Sequence, residues 1–115
     1  MEILVGDGKL RSAIEDDDAC HRRFGADMAK KIKLRIAALR AAESLADFWP
    51  PNSGPERCHE LKGNRIGTFS IDVKQPYRLL FKPAEELPEL DPPDEQQRWQ
   101  FITGVELLGI EDTHG

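Results

Sequence analysis

The sequence has no apolar run approaching the roughly 20 residues a membrane-spanning helix needs, and no signal-peptide pattern at its start. A chain of 115 residues with neither feature reads as one cytoplasmic domain spanning 1–115, without a membrane role. Cysteine is nearly missing. Cys20 and Cys58 are too few for a disulfide framework and stand in no C-x-x-C pair. Reduced thiols are the main reading and a disulfide the minor one, and a structural zinc site is not expected. No cluster of residue types points to another metal or to a cofactor. No glycine-rich phosphate loop follows a strand and no nucleophile elbow appears, so a metabolic enzyme has little support. Internal repeats are absent too. So is a basic balance: the net charge is −5, which at first argues against nucleic-acid binding.

That charge is unevenly spread. Residues 1–50 carry nine acids and nine bases. Residues 51–83 carry six bases against three acids, and residues 84–115 carry nine acids against Arg98 alone. The acidity is thus concentrated after position 83, mostly in Glu85 to Glu95. Cellular salt screens exposed charges beyond about 8 Å, so an acidic loop need not cancel a basic patch farther away.

Taken in order, Glu2 to Val5 reads as a first strand, ended by Gly6-Asp7-Gly8. Lys9 to about Phe24 reads as one helix with Leu10, Ala13 and Ile14 inward, and Gly25 as a break. From Asp27, the expected N-cap, to about Ala46 runs the strongest helical pattern, with Met28, Ile32, Ile36 and Leu39 at helical spacing. Lys30, Lys31, Lys33, Arg35 and Arg40 on its other side fit a solvated face or, as the sharper alternative, an RNA contact. Trp49 to Pro55 is a loop on composition. Ala84 to Gln97 is acidic and proline-rich, and reads as a mobile loop. Trp99 to Ile110 returns as a final strand region in which Gly104 and Gly109 mark bulges or bends. The order β-α-α-β-β-β predicts an α+β domain, two N-terminal helices packed on a small antiparallel sheet.

The most informative stretch is RCHELKGNRIGTFSIDVKQPYRLLFKP, Arg57 to Pro83. Apolar residues alternate through Phe69, Ile71 and Val73 and again through Tyr77, Leu79 and Phe81. Lys74-Gln75-Pro76 supplies the turn of a β-hairpin. If the apolar series faces inward, Ser70, Asp72, Arg78 and Lys82 face outward.

The pattern His-x-Leu-Lys-Gly-x-Arg-x-Gly, then an aromatic-Ser-Ile strand and aromatic-Arg-Leu-x-Phe, resembles the central motif of HigB-type toxins in the RelE superfamily. The tail Glu111-Asp112-Thr113-His114 is similar to the family's Glu-Asp-Tyr-His. The likeness extends loosely along the whole chain, and only the hairpin and tail are specific. It implies a RelE-like fold and a plasmid-maintenance type of toxin, a ribosome-dependent endoribonuclease that cuts mRNA and blocks translation. It also implies a cognate HigA-like helix-turn-helix antitoxin, through which alone the complex would meet operator DNA.

Cleavage by the RNA's own 2′-hydroxyl needs a base, charge stabilisation on the phosphorane and an acid for the departing 5′-oxygen. None of these requires a metal. Arg78 fits charge stabilisation, since a guanidinium grips two phosphate oxygens; its plainer role is an ion pair with Asp72 across the hairpin. Lys62 can neutralise phosphate as a point charge. His59 and His114 are the proton-transfer candidates, because histidine titrates near neutral pH. Asp112 can orient a histidine or act as a base, or be a solvated tail residue. Arg65, Lys82 and Tyr77 are the further RNA-contact candidates. Thr113 stands where the resembling tail has tyrosine, and threonine cannot stack on a base. Either Tyr77 or Trp99 then supplies the platform, or catalysis is weakened and the protein is a RelE-fold binding module that pairs with an antitoxin and helps regulate its operon.

Overall fold

The computed structural model describes residues 1–112, so Thr113 and His114 lie outside the described residues. Strand β1 (Glu2–Val5) leads into α1 (Gly8–Glu15). Asp7 caps that helix, its Oδ1 accepting from the N–H groups of Lys9 at 2.8 Å and Leu10 at 3.0 Å. The helix expected over 9–24 is in fact two. Asp16 adopts an extended conformation, ends α1, and caps α2 (Asp17–Phe24) by accepting from Asp18 N–H at 2.9 Å. The short aspartate side chain offers the backbone an alternative to the helical ladder, and here that alternative prevails.

Gly25 closes α2, its N–H donating to the His21 carbonyl at 2.9 Å, and it is also the residue before α3 (Ala26–Ala41). The expected cap, Asp27, instead sits in the first turn of α3. Its carboxylate pairs with Lys74 of the hairpin turn at 2.7 Å, which holds it below the usual carboxylate range. Ala29, Ile32, Ile36 and Leu39 make the buried stripe of α3. The helix stops at Ala41, and a 3-10 turn, Leu45–Phe48, capped by Ser44, follows.

The remaining elements are β2 (His59–Glu60), a 3-10 turn at Gly63–Arg65, β3 (Phe69–Lys74), β4 (Tyr77–Pro83), α4 (Glu95–Gln100) and β5 (Gly104–Asp112). Helix α4 corrects two expectations. The acidic segment is not loop to its end, because Asp94 caps a short helix by accepting from Gln97 N–H at 2.9 Å. Trp99 lies on that helix, not on the final strand, and is fully buried. It meets Trp49 edge-on at 5.0 Å and Phe69 at 5.7 Å, an arrangement aromatic rings favour.

The sheet order is β1-β5-β4-β3-β2. β1 runs parallel to β5 and the other pairs are antiparallel, so the sheet is mixed, not wholly antiparallel. Three helices, not two, precede its central strands. The α+β class and the element order otherwise hold. Bulges fall after Asp72 in β3 and opposite Leu80–Phe81 in β5, the latter next to Gly109. Phe69, Ile71, Leu79 and Phe81 pack from the inner face of the sheet into the same core as the α3 stripe. Both cysteine thiols are free and buried.

Candidate functional site

Directly opposed residues of an antiparallel pair project to the same face. The register pairs His59 with Ser70, Ser70 with Leu80, Asp72 with Arg78, Arg78 with Glu111 and Lys82 with Glu106. Those side chains therefore share the outer face, opposite the core. The expectation that this face is open to water is corrected by burial: Ser70 is fully buried and Asp72 is 8% exposed. Asp72 is hemmed in by Arg35, Glu56, Arg57 and Arg78, and the connection between β2 and β3 folds back across this face. Arg65 in that connection reaches Glu111 on β5 at 2.9 Å, spanning β3 and β4. Gly67 N–H donates to Glu60 Oε2 at 2.8 Å, and Arg98 from α4 grips the other Glu60 oxygen at 2.6 Å. Gly63 and Gly67 take φ values of +69° and +92°, which let the connection reverse where other residues would be strained.

Under this cover, Asp72 is tied at four points. Its Oδ1 lies 3.2 Å from Arg78 Nε, an ion-pair contact without hydrogen-bond alignment, and its Oδ2 lies 3.6 Å from Arg57 Nε. Its N–H donates to the Glu56 carbonyl at 2.7 Å, and its own carbonyl accepts from Arg35 Nε at 2.7 Å. The Asp72 and Arg78 side chains are only 11% and 14% exposed, so their charges are screened far less than a surface pair's. The cross-hairpin pair weighed for Arg78 is thus present. Two guanidinia flank one carboxylate.

His59 is half-buried beside them, its Nδ1 3.0 Å from the Arg57 carbonyl. A carbonyl can only accept, so Nδ1 carries a proton and the neutral ring keeps its lone pair on Nε2. Lys62 is exposed at the start of the covering 3-10 turn and has no ion pair among the described residues. Lys82 shares the outer face at the far end of β4. There it lines an open cleft of about 980 Å³ with Glu85, Glu86, Glu89 and Glu95, which is where the acidic loop lies.

Tyr77 is 43% exposed and neighbours Arg78 in the strand, so it projects to the opposite face, beside Met28 and Phe24. Asp112 pairs with Tyr77 in register and is exposed. His114 falls outside the described residues. Trp99, the other aromatic weighed as a stacking platform, is buried in the core and offers no surface. Arg57 is the residue that sequence reasoning missed. It lies in a turn with a left-handed φ of +47°, so neither strand alternation nor helical spacing announces its place beside Asp72.

The sequence model of a family described as the RelE-like toxin of the type II toxin–antitoxin system HigB matches residues 6–91. The chain belongs to the HigB-like toxin family. The match runs from the end of β1 through β4, so it includes Arg57, His59, Lys62, Asp72 and Arg78, and stops before β5. The HigB-like chain is similar in fold to a YoeB/ParE toxin from Agrobacterium tumefaciens, with a TM-score of 0.56 and 16% identity over 97% of this chain and 98% of that one. It is also similar to a chain of a YoeB-YefM complex from Staphylococcus aureus, with a TM-score of 0.51 and 16% identity over 96% and 94% of the two chains. At such identities the likeness is one of fold. No curated protein matches the sequence.

Proposed function

We propose that this HigB-like toxin is a ribosome-dependent endoribonuclease that cuts mRNA in the cytoplasm and is held in check by a helix-turn-helix antitoxin. The observation that carries the reading is the charge group on the outer face, where Arg78 and Arg57 flank Asp72 and His59 stands beside them. Neutral His59 takes the 2′-hydroxyl proton at Nε2 as O2′ bonds to phosphorus. Arg78 stabilises the charge that builds on the phosphorane, aided by the Lys62 ammonium. The P–O5′ bond then breaks, leaving a 2′,3′-cyclic phosphate, and the departing oxygen takes a proton from His114, with Asp112 orienting the donor. In this scheme the side chains supply all three services. Arg65 and Lys82 meet neighbouring phosphates. Trp99 is buried and Tyr77 projects to the face opposite Arg78, so Tyr77 stacks on a base where the RNA strand rounds the edge of the hairpin.

The test is cleavage of mRNA on programmed ribosomes. Removing one such charge-stabilising donor typically lowers the rate about 10²- to 10³-fold, and Arg78→Ala is expected to fall in that range. His114→Ala should be impaired as well. Folded variants of both that cut at the wild-type rate would overturn the assignment. A second reading is favoured by Thr113 and by the carboxylate already seated on Arg78: a RelE-fold module that binds an antitoxin and helps regulate the operon without cutting RNA. The YoeB-YefM complex, a toxin of this fold with its partner, supports antitoxin pairing under either reading. Co-purification with the antitoxin and operator binding only through it, with no cleavage on ribosomes, would select the second.

A further inference from the structure

We infer that Arg57 is an RNA-phosphate ligand of this site, gripping the same strand beside Arg78. The inference rests on the proposed RNA-binding reading and adds a residue to it. Arg57 and Arg78 approach opposite oxygens of one carboxylate, so the two guanidinia are held side by side. They differ in access. The Arg57 side chain is 51% exposed and that of Arg78 is 14% exposed, so Arg57 is the one an incoming phosphate meets first.

The chemistry of the contact agrees. Arg57 approaches Asp72 through Nε at 3.6 Å, a long contact on one edge of the guanidinium. The terminal pair of nitrogens has no hydrogen bond among the described residues. That planar fork is the edge that takes two oxygens of a phosphodiester at once. A salt bridge alone would not call for such an arrangement, since the carboxylate already has Arg78 at closer range.

The backbone adds a separate argument. Arg57 has a φ of +47°, in the left-handed region that non-glycine residues rarely adopt. Glycine would take this conformation without steric cost, yet a long cationic side chain stands here. The same conformation directs the Arg57 carbonyl to His59 Nδ1 and the side chain towards Asp72. Strain of this kind persists where surrounding contacts hold it, and it concentrates at functional sites.

Arg57→Gly is the decisive variant, because it suits the backbone, keeps the carbonyl that faces His59 and removes only the side chain. Arg57→Lys keeps the charge and loses the fork. Each is compared with wild type for binding of a single-stranded oligoribonucleotide across a salt series and for mRNA cleavage on programmed ribosomes. Each phosphate contact on a single strand contributes roughly 0.7 to the slope of log affinity against log salt. Arg57→Gly is expected to lower that slope by about this amount, and to weaken binding roughly tenfold or more, as for loss of a charged hydrogen bond. Arg57→Lys should restore the slope and only part of the affinity.

If wild type binds and cuts RNA and Arg57→Gly matches it in slope and rate, Arg57 is only a partner of Asp72, and this inference falls while the nuclease reading stands. If Arg57→Gly loses the slope but wild type never cuts, the inference stands and the nuclease reading falls. If wild type neither binds nor cuts, both fall.

Discussion

The two faces of the β3–β4 hairpin are made from alternate residues of the same two strands, and both are out of water by different means. The inner face carries Phe69, Ile71, Leu79 and Phe81, covered by the helices and by Trp99. The outer face carries Ser70, Asp72 and Arg78, covered by a connection pinned at Glu60 and Glu111. Apolar packing needs only shape and volume. A charged face under cover must pair its ions, because an unpaired buried charge is costly. The outer face should therefore hold its groups rigidly while adding little net stability.

The largest effect expected from that contrast is on the inner face. Phe69→Ala removes a fully buried ring stacked on Phe81 at 5.9 Å and set edge-on to Trp99. Such truncations cost about 3–5 kcal/mol, which is much of a small domain's stability. Denaturant unfolding measures it. A loss below about 1 kcal/mol would mean that the ring is not a core element.

Next comes the outer face, where single and double replacements should disagree. Asp72→Ala removes the carboxylate that lies between Arg57 and Arg78, a side chain only 11% exposed, and is expected to cost about 3 kcal/mol. Replacing both Asp72 and Arg78 with apolar residues of similar size should recover most of that loss, because desolvation of the two ions is removed together with their attraction. Cleavage by the double variant, which lacks Arg78, should fall by about the 10²- to 10³-fold expected of Arg78→Ala. If the double variant is no more stable than Asp72→Ala, the pair is a stability device and the contrast between the faces is wrong.

Such a contrast is only half legible in the sequence. Alternation of apolar residues predicts the inner face at Phe69, Ile71, Val73, Leu79 and Phe81, and helical spacing predicts the buried stripe of α3. Both are local, repeated signals. The outer face depends on a contact between positions 65 and 111, and nothing in local pattern announces it. The same holds for the parallel pairing of β1 with β5, since periodicity names faces and not neighbours. Asp16 could be read as a solvated helix residue or as a cap, and the competition is decided only by what Leu10 and Cys20 bury on either side. Helix α4 is too short for a periodic signal and sits within acidic, proline-rich sequence, so local pattern places Trp99 in the strand after it. Among the candidate residues, the family motif pointed to Arg78, His59 and Lys62. The left-handed backbone of Arg57 has no sequence signature at a non-glycine position.

The pins that hold the cover should grade with their burial. Glu60→Gln keeps an acceptor for Gly67 N–H but loses the charged contact with Arg98, whose partner oxygen lies at 2.6 Å with the Glu60 side chain 13% exposed. About 1–2 kcal/mol is expected. Glu111→Gln acts on a pair whose side chains are 44% and 49% exposed, and should cost about 0.5 kcal/mol or less. Equal losses in thermal unfolding would show that the connection is not anchored mainly at its Glu60 end.

Cys58 gives the most sensitive check at the smallest cost to the fold. It stands between Arg57 and His59, both of which serve the outer face, yet its own side chain is fully buried in the core. Burial pushes its thiol up to about 12, with nearby Glu56 acting in the same direction. The thiolate is the reactive form, so native Cys58 should resist a thiol reagent at pH 8 and react only on unfolding. Burial also raises the Cys20 thiol, so both should be protected together and released together. The sign of the pH dependence follows. An unfolded thiol ionises near pH 8.5–9 while the folded Cys58 thiol keeps its proton, so the folded state binds more protons in that window. Stability is therefore unaffected by Cys58 below about pH 8.5 and declines as pH rises towards 12. Cys58→Ala should remove that part of the alkaline decline. Rapid labelling of Cys58 in the folded protein at pH 8 would place its side chain with its neighbours on the outer side, and the division between the two faces would fail at β2.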